Sequence, residues 1–398
     1  MNPTNEPAPT VHRTVGIGQP PARATLKYER LPLLALSIVA LVAGLWAGLL
    51  RLGWSLPAIQ PGLYVAHGPL MVCGFLGTLI SLERAVALGE GWSYAAPTLS
   101  GAGALALIVG VPGPLGPIFI TLGSIGLVAN FIVIVRRQTA LFTITMALGA
   151  VAWFIGNCLW FARIPIIEMF FWWAGFLVLT IVGERLELSR LTGQGERNRP
   201  LFLLGTGVFL AGLATGLHVP ALGLRLAGLG MLVMALWLLR YDLARRTVKQ
   251  QGLTRFIAVN LLAGYFWLGI SGLMWIWFGD DLTTFHYDAM LHSIFLGFVF
   301  SMIFAHAPMI FPAVLQRPLP YRRIFYAHSA LLDLSLLLRI GGDLAHSYPA
   351  YEWGGLLNVI AVLFFVGNTG HAVASGMLKR RQRMPRMKTS HKSQQATP

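Results

Sequence analysis

Residues 62–82 read GLYVAHGPLMVCGFLGTLISL, an apolar run with one histidine and no carboxylate, lysine or arginine. A bilayer core about 30 Å thick is crossed by about 20 residues rising about 1.5 Å each, so this run is long enough to span a membrane as a helix. Eleven more runs of the same character flank it, over 31–50, 93–112, 116–135, 139–162, 164–183, 200–217, 220–239, 256–278, 288–314, 325–346 and 353–377. The whole composition agrees. A chain of 398 residues that is 56% hydrophobic and 11% charged, with a mean hydropathy of +0.66, is not a water-soluble protein. The expectation is an all-α, polytopic membrane protein of about twelve transmembrane helices occupying residues 31–378.

The flanking segments differ in kind. Residues 1–30 are polar and proline-rich without an apolar stretch, which predicts a disordered cytoplasmic tail instead of a cleaved signal peptide. Residues 379–398 form a basic tail, also expected in the cytoplasm. Cys73 and Cys158 both fall inside apolar runs and read as small hydrophobes.

Lys and Arg number 30 against 15 Asp and Glu, a balance that could suggest nucleic acid. Placed on twelve spans with the N-terminus inside, however, all basic residues but Arg51, Arg163, Arg225 and Arg339 fall in the tails or inner loops. That segregation is the positive-inside rule, which predicts a bacterial-type cytoplasmic membrane with both termini cytoplasmic. The implied partner is the lipid bilayer, with no nucleic acid.

A repeat at four-span spacing supports the count. The second span carries Gly74-Phe75-Leu76, Ile80 and Glu83-Arg84; the sixth carries Gly175-Phe176-Leu177, Ile181 and Glu184-Arg185 at the same offsets. The tenth carries Gly297-Phe298-Val299 and Ile303, then His306 where the others have glutamate. Three pseudo-repeated arcs of four helices would place spans two, six and ten equivalently. The Glu-Arg pairs read either as anchors at headgroup level or as ties between helix ends.

Five histidines lie inside spans, where an ionisable group needs a partner, a cavity or a metal. His67 and His292 sit a turn or so from the outer ends of spans two and ten, at one depth. His306 follows His292 by fourteen residues, about 21 Å deeper and close to the same face of an ideal helix. His328 and His371 share its depth. Two neutral imidazoles from facing helices are suited to clamp a haem, and haem propionates want an arginine at the rim, for which Arg339 is the candidate. Arg339 has an alternative partner in Asp343, one turn on in the same span. Asp333 is a candidate for a proton path or for holding a ligating histidine. The trio His306, His328 and His371 would suit copper, a second haem or no ligand at all. Pro308 and Pro312 are expected to break the helix just beyond His306.

The stretch Ala66-His67-Gly68-Pro69-Leu70-Met71 resembles the Ala-His-Gly-x-Leu-Met segment that carries a low-spin haem ligand on the second helix of haem-copper oxidase main subunits. Those proteins also have twelve helices in three arcs, with ligands on helices two, six and ten. The resemblance implies that His67 and His292 are axial ligands of one b-type haem. The sixth span lacks the oxidase His-Pro-Glu-Val-Tyr, the seventh has no His-His pair and the tenth no His-x-His, so the oxidase copper centre is absent. In general character the chain is more similar to the NnrS family of haem- and copper-containing membrane proteins linked to denitrification and nitric oxide stress. The resemblance implies haem b, with copper as a further cofactor, and a redox partner or small gas ligand. A secondary transporter or metal permease is the competing expectation, since repeats and buried histidines also mark those proteins. No nucleotide-binding glycine loop, nucleophile elbow or Cys-x-x-Cys-His motif is present, which gives no support to ATP hydrolysis, acyl transfer or c-type haem.

Overall fold

Inside lipid, an apolar segment satisfies its backbone N–H and C=O groups by closing them into its own helix, and the chain does this repeatedly. The structure, a computed structural model, describes residues 30–57, 59–189, 198–315 and 320–383. Each expected span falls on one helix: α1 (Leu31–Arg51), α2 (Leu63–Leu88), α3 (Gly91–Val109), α4 (Leu115–Arg137), α5 (Leu141–Phe161) and α6 (Ile166–Ser189) in the first half. The second half holds α7 (Arg199–Thr215), α8 (Pro220–Tyr241), α9 (Gly252–Phe278), α10 (Thr284–His292 continuing through Ser293–Phe300 and Ser301–Leu315), α11 (Phe325–Leu344) and α12 (Tyr348–Arg383). No strand occurs among the described residues. The protein is an all-α polytopic membrane protein.

By length and composition, 10 of these helices can cross a membrane. The other two are α7, which is 17 residues long, and α11, which carries Asp333, Arg339 and Asp343. Several boundaries differ from the sequence expectation. Helix α10 runs through Pro308 and Pro312 to Leu315, so the prolines remove backbone donors without ending the helix. Helix α12 continues to Arg383, five residues into the segment expected to be a basic tail. The remainder of both expected tails lies outside the described residues.

Packing repeats with a period of four helices. The odd–even pairs α1 with α2, α5 with α6 and α9 with α10 lie side by side, as do α3 with α4, α7 with α8 and α11 with α12. Helix α4 leads on to α5 and α8 to α9 by direct contact, and α12 touches α1 to complete the circuit. Helices α2, α6 and α10 are innermost, with 67%, 83% and 72% of their spanning windows buried against 33% for α4 and α12. The repeated glycine explains part of this. A Cβ at Gly74, Gly175 or Gly297 would stand 2.9 Å from Ala104 Cβ, 2.7 Å from Leu213 Cδ1 or 2.5 Å from Trp267 Cγ. Each glycine therefore seats a neighbour's side chain against the backbone of a central helix, the close approach that small residues permit in lipid.

The Glu-Arg repeats tie helices together. Arg84 of α2 donates to Glu184 of α6 as well as to Glu83 beside it. Arg185 makes a forked pair with Asp242 just beyond α8, at 2.8–3.0 Å, with both side chains buried. Neither α2 nor α6 ends there, since each continues past the pair to Leu88 or Ser189.

Candidate functional site

At the end of the bundle where α1 finishes at Arg51, α2 and α10 bring two histidines together, His67 in the second turn of α2 and His292 nine residues into α10. His67 packs on α1, whose Gly48 leaves room for its ring and whose Gly44 leaves room for Met71 one turn on: a Cβ at Gly48 would be 2.9 Å from His67 Cε1, and one at Gly44 2.8 Å from Met71 Sδ. The lack of a side chain at Gly48 lets His67 Nδ1 donate to the Gly44 carbonyl at 2.7 Å. On α10, His292 Nδ1 lies 3.0 Å from the carbonyl of Asp288 and 3.2 Å from its Oδ2. Both Nδ1 atoms face acceptors, so Nδ1 carries the hydrogen in each ring, and in the neutral form Nε2 is the atom left to ligate. The two rings have centroids 6.4 Å apart and planes 28° apart.

Within three residues of each histidine the helix widens. Residues Leu70–Gly77 of α2 and Ser293–Phe300 of α10 are π-helical, and both stretches start four residues before the repeated glycine. Such turns recur at functional sites because they redirect side chains without ending the helix. They also change the phase between the two halves of α10, which removes the premise that placed His306 and His292 on one face.

Both rings line a cavity of about 900 Å³. Leu45, Met71, Leu76, Phe295 and Phe300 form its apolar depth, while Arg51, Arg163 and Arg339 stand in its wall. Arg339 is already engaged. Its Nε donates to Asp288 Oδ2 at 2.7 Å and its Nη2 to Oδ1 at 2.8 Å, and its guanidinium lies 5.4 Å from the Tyr351 ring centre. The intrahelical pairing with Asp343 is therefore corrected: Arg339 reaches across to α10, and both oxygens of buried Asp343 lack a hydrogen-bond partner. Asp288 is the site residue that sequence reasoning missed. Its spacing of four before His292 was the available signal, since that spacing puts two side chains on adjacent turns.

The other candidates disperse. Asp333 accepts from Trp267 Nε1 at 2.9 Å and holds no histidine. His306 Nδ1 donates to the Met302 carbonyl at 2.7 Å, and the residue is not among those lining the cavity. His328 is buried among Phe304, Phe325, Phe365 and Phe256, with ring centres 4.8–6.1 Å away, while His371 is exposed on α12. Among the described residues no group of three or more His, Cys, Asp or Glu side chains is placed to hold a metal ion, so His306, His328 and His371 do not form the expected copper site. Equal depth was a poor guide because it fixes neither the helix face nor the lateral distance.

Comparison with curated proteins finds no match. The family described as Domain of unknown function (DUF8744) matches residues 30–374, which takes in all but the end of the helical bundle, and the chain belongs to that family.

Proposed function

We propose that the protein is a membrane haem protein in which His67 and His292 would hold one b-type haem, and that it transfers electrons. The observation that carries this reading is the imidazole pair itself, with both Nδ1 atoms occupied and centroids 6.4 Å apart. Two imidazoles sharing one metal through nitrogen bonds of about 2 Å place their ring centres roughly 6 Å apart. The donor chemistry also fits, because a neutral imidazole whose Nδ1–H is anchored is a well-oriented iron ligand.

The surroundings suit the same group. The apolar depth accepts a macrocycle, and the volume lies within the range of roughly 300–1,000 Å³ typical of cofactor sites. Arg51 and Arg163 offer cations for its carboxylates, while Arg339 is held by Asp288 and acts on the site through that residue. A bound haem would supply one-electron exchange, and with His67 and His292 both holding it no ligand position would be left open for a gas, which favours electron transfer. Nitric oxide would have to displace a histidine.

Purified full-length protein from haem-replete cells should show a b-type Soret band that shifts on dithionite reduction and disappears in a His67→Ala, His292→Ala double variant. Carbon monoxide should leave the reduced wild type unchanged and bind once His67 alone is removed. A colourless wild type that moves a labelled solute or metal into proteoliposomes would replace this reading with the transporter alternative.

A further inference from the structure

The two imidazoles do not have equivalent backing. His67 Nδ1 faces only a neutral backbone carbonyl, that of Gly44. His292 Nδ1 faces the Asp288 carbonyl and also the Asp288 carboxylate, which is itself clamped by the forked Arg339 guanidinium from α11. All three side chains of this chain are largely buried, with 14%, 12% and 8% of the His292, Asp288 and Arg339 side chains accessible. In such surroundings the charge of a carboxylate acts strongly over one hydrogen bond.

From this asymmetry we infer that Asp288 is a positioning and tuning residue for His292, and that Arg339 moderates it. The inference rests on the haem reading above and names what regulates that site. A carboxylate drawing on the Nδ1 hydrogen makes the ring a more basic ligand, which favours ferric over ferrous iron and lowers the midpoint potential. Arg339 draws carboxylate charge away from His292, which restrains the effect. It also spans α10 and α11, so that the position of α11 bears on the electron affinity of a ligand carried by α10. Partners that set ligand basicity in this way commonly change metal affinity by about 10- to 100-fold. The same pair accounts for an arginine and an aspartate kept deep in an apolar bundle, where each alone would be costly.

The test is redox titration of the full-length protein in detergent, followed by its visible spectrum, with the near-infrared charge-transfer band of the ferric state as a second readout. Asp288→Asn should raise the midpoint potential by about 59 mV, a tenfold change in the ratio of ferric to ferrous affinity. Arg339→Gln should lower it, and Asp288→Glu should restore a value near the wild type. A role limited to holding the fold would move both potentials in the same direction or neither, and either result overturns the inference. If Asp288→Asn does not accumulate in membranes, the downward shift in Arg339→Gln still decides. A colourless wild type removes the haem reading and this inference together, whereas a coloured wild type with unmoved potentials removes only the inference.

Discussion

Arg84 of α2 and Glu184 of α6 form a charge-assisted hydrogen bond between two central helices, at positions adjacent to equivalent ones in the repeat. Their side chains are only 12% and 22% accessible. The pair closes the end of the bundle remote from the imidazoles, and it joins α2 to α6 directly.

Removing Arg84 leaves the largely buried Glu184 carboxylate without its guanidinium partner. Arg84→Ala is therefore expected to destabilise the protein by about 3–5 kcal/mol, while an Arg84→Met, Glu184→Leu double variant should recover most of the loss. Chemical unfolding in detergent, followed by tryptophan fluorescence, checks both. Equal damage from the single and double changes would show that the pair does not act as a unit.

Gly48 makes room for the His67 ring, and a Cβ there would also lie 3.0 Å from His67 Nδ1. Gly48→Ala should turn the ring away from the Gly44 carbonyl and weaken cofactor retention by about 10- to 100-fold, with little change in overall stability. Haem titration of the apoprotein measures the first and a thermal melt the second.

The three repeated glycines should not tolerate alanine equally. A Cβ at Gly297 would meet ring carbons of Trp267 at 2.5–2.7 Å, whereas one at Gly175 would meet the end of the flexible Leu213 side chain. Overpacking costs about 1–3 kcal/mol, and we expect Gly297→Ala near the top of that range and Gly175→Ala near the bottom. Melting temperatures of the single variants would reverse this order if Trp267 can move aside.

Outside the spans, Asp281 caps the segment before α10. The Thr283 amide donates to its Oδ1 at 3.1 Å and His286 Nδ1 lies 2.7 Å from its Oδ2, and these bonds hold its carboxyl below the ordinary carboxylate range, the amide contributing most. A group whose folded value is depressed adds stability above its unfolded value and loses it as pH falls through the folded one. Protection of the Thr283 amide should thus persist at neutral pH and fade below about pH 4. Hydrogen exchange across that interval measures it, and Asp281→Asn should remove the dependence.

The spacing of the repeated glycines and of Glu83-Arg84 against Glu184-Arg185 was legible in the sequence because it is local to each span. The same is true of the helical class: without water, a long apolar run has no other way to pair its backbone. Depth was legible too, since rise per residue is nearly constant, and it put His67 beside His292 and Arg339 in the same half. Azimuth was not. A π-helical stretch such as Ser293–Phe300 changes the rotation of everything after it, which an ideal-helix count from His292 to His306 does not include.

What the linear order of residues determined, then, is a membrane bundle of apolar helices with two imidazoles near one end. Only the tertiary structure decided that Arg339 turns to Asp288 rather than to Asp343, that His328 is walled in by phenyl rings, and that His371 faces outward. The reason is physical. Partners on different helices are chosen by how those helices pack and rotate against each other, and that choice depends on contacts between segments far apart in the chain.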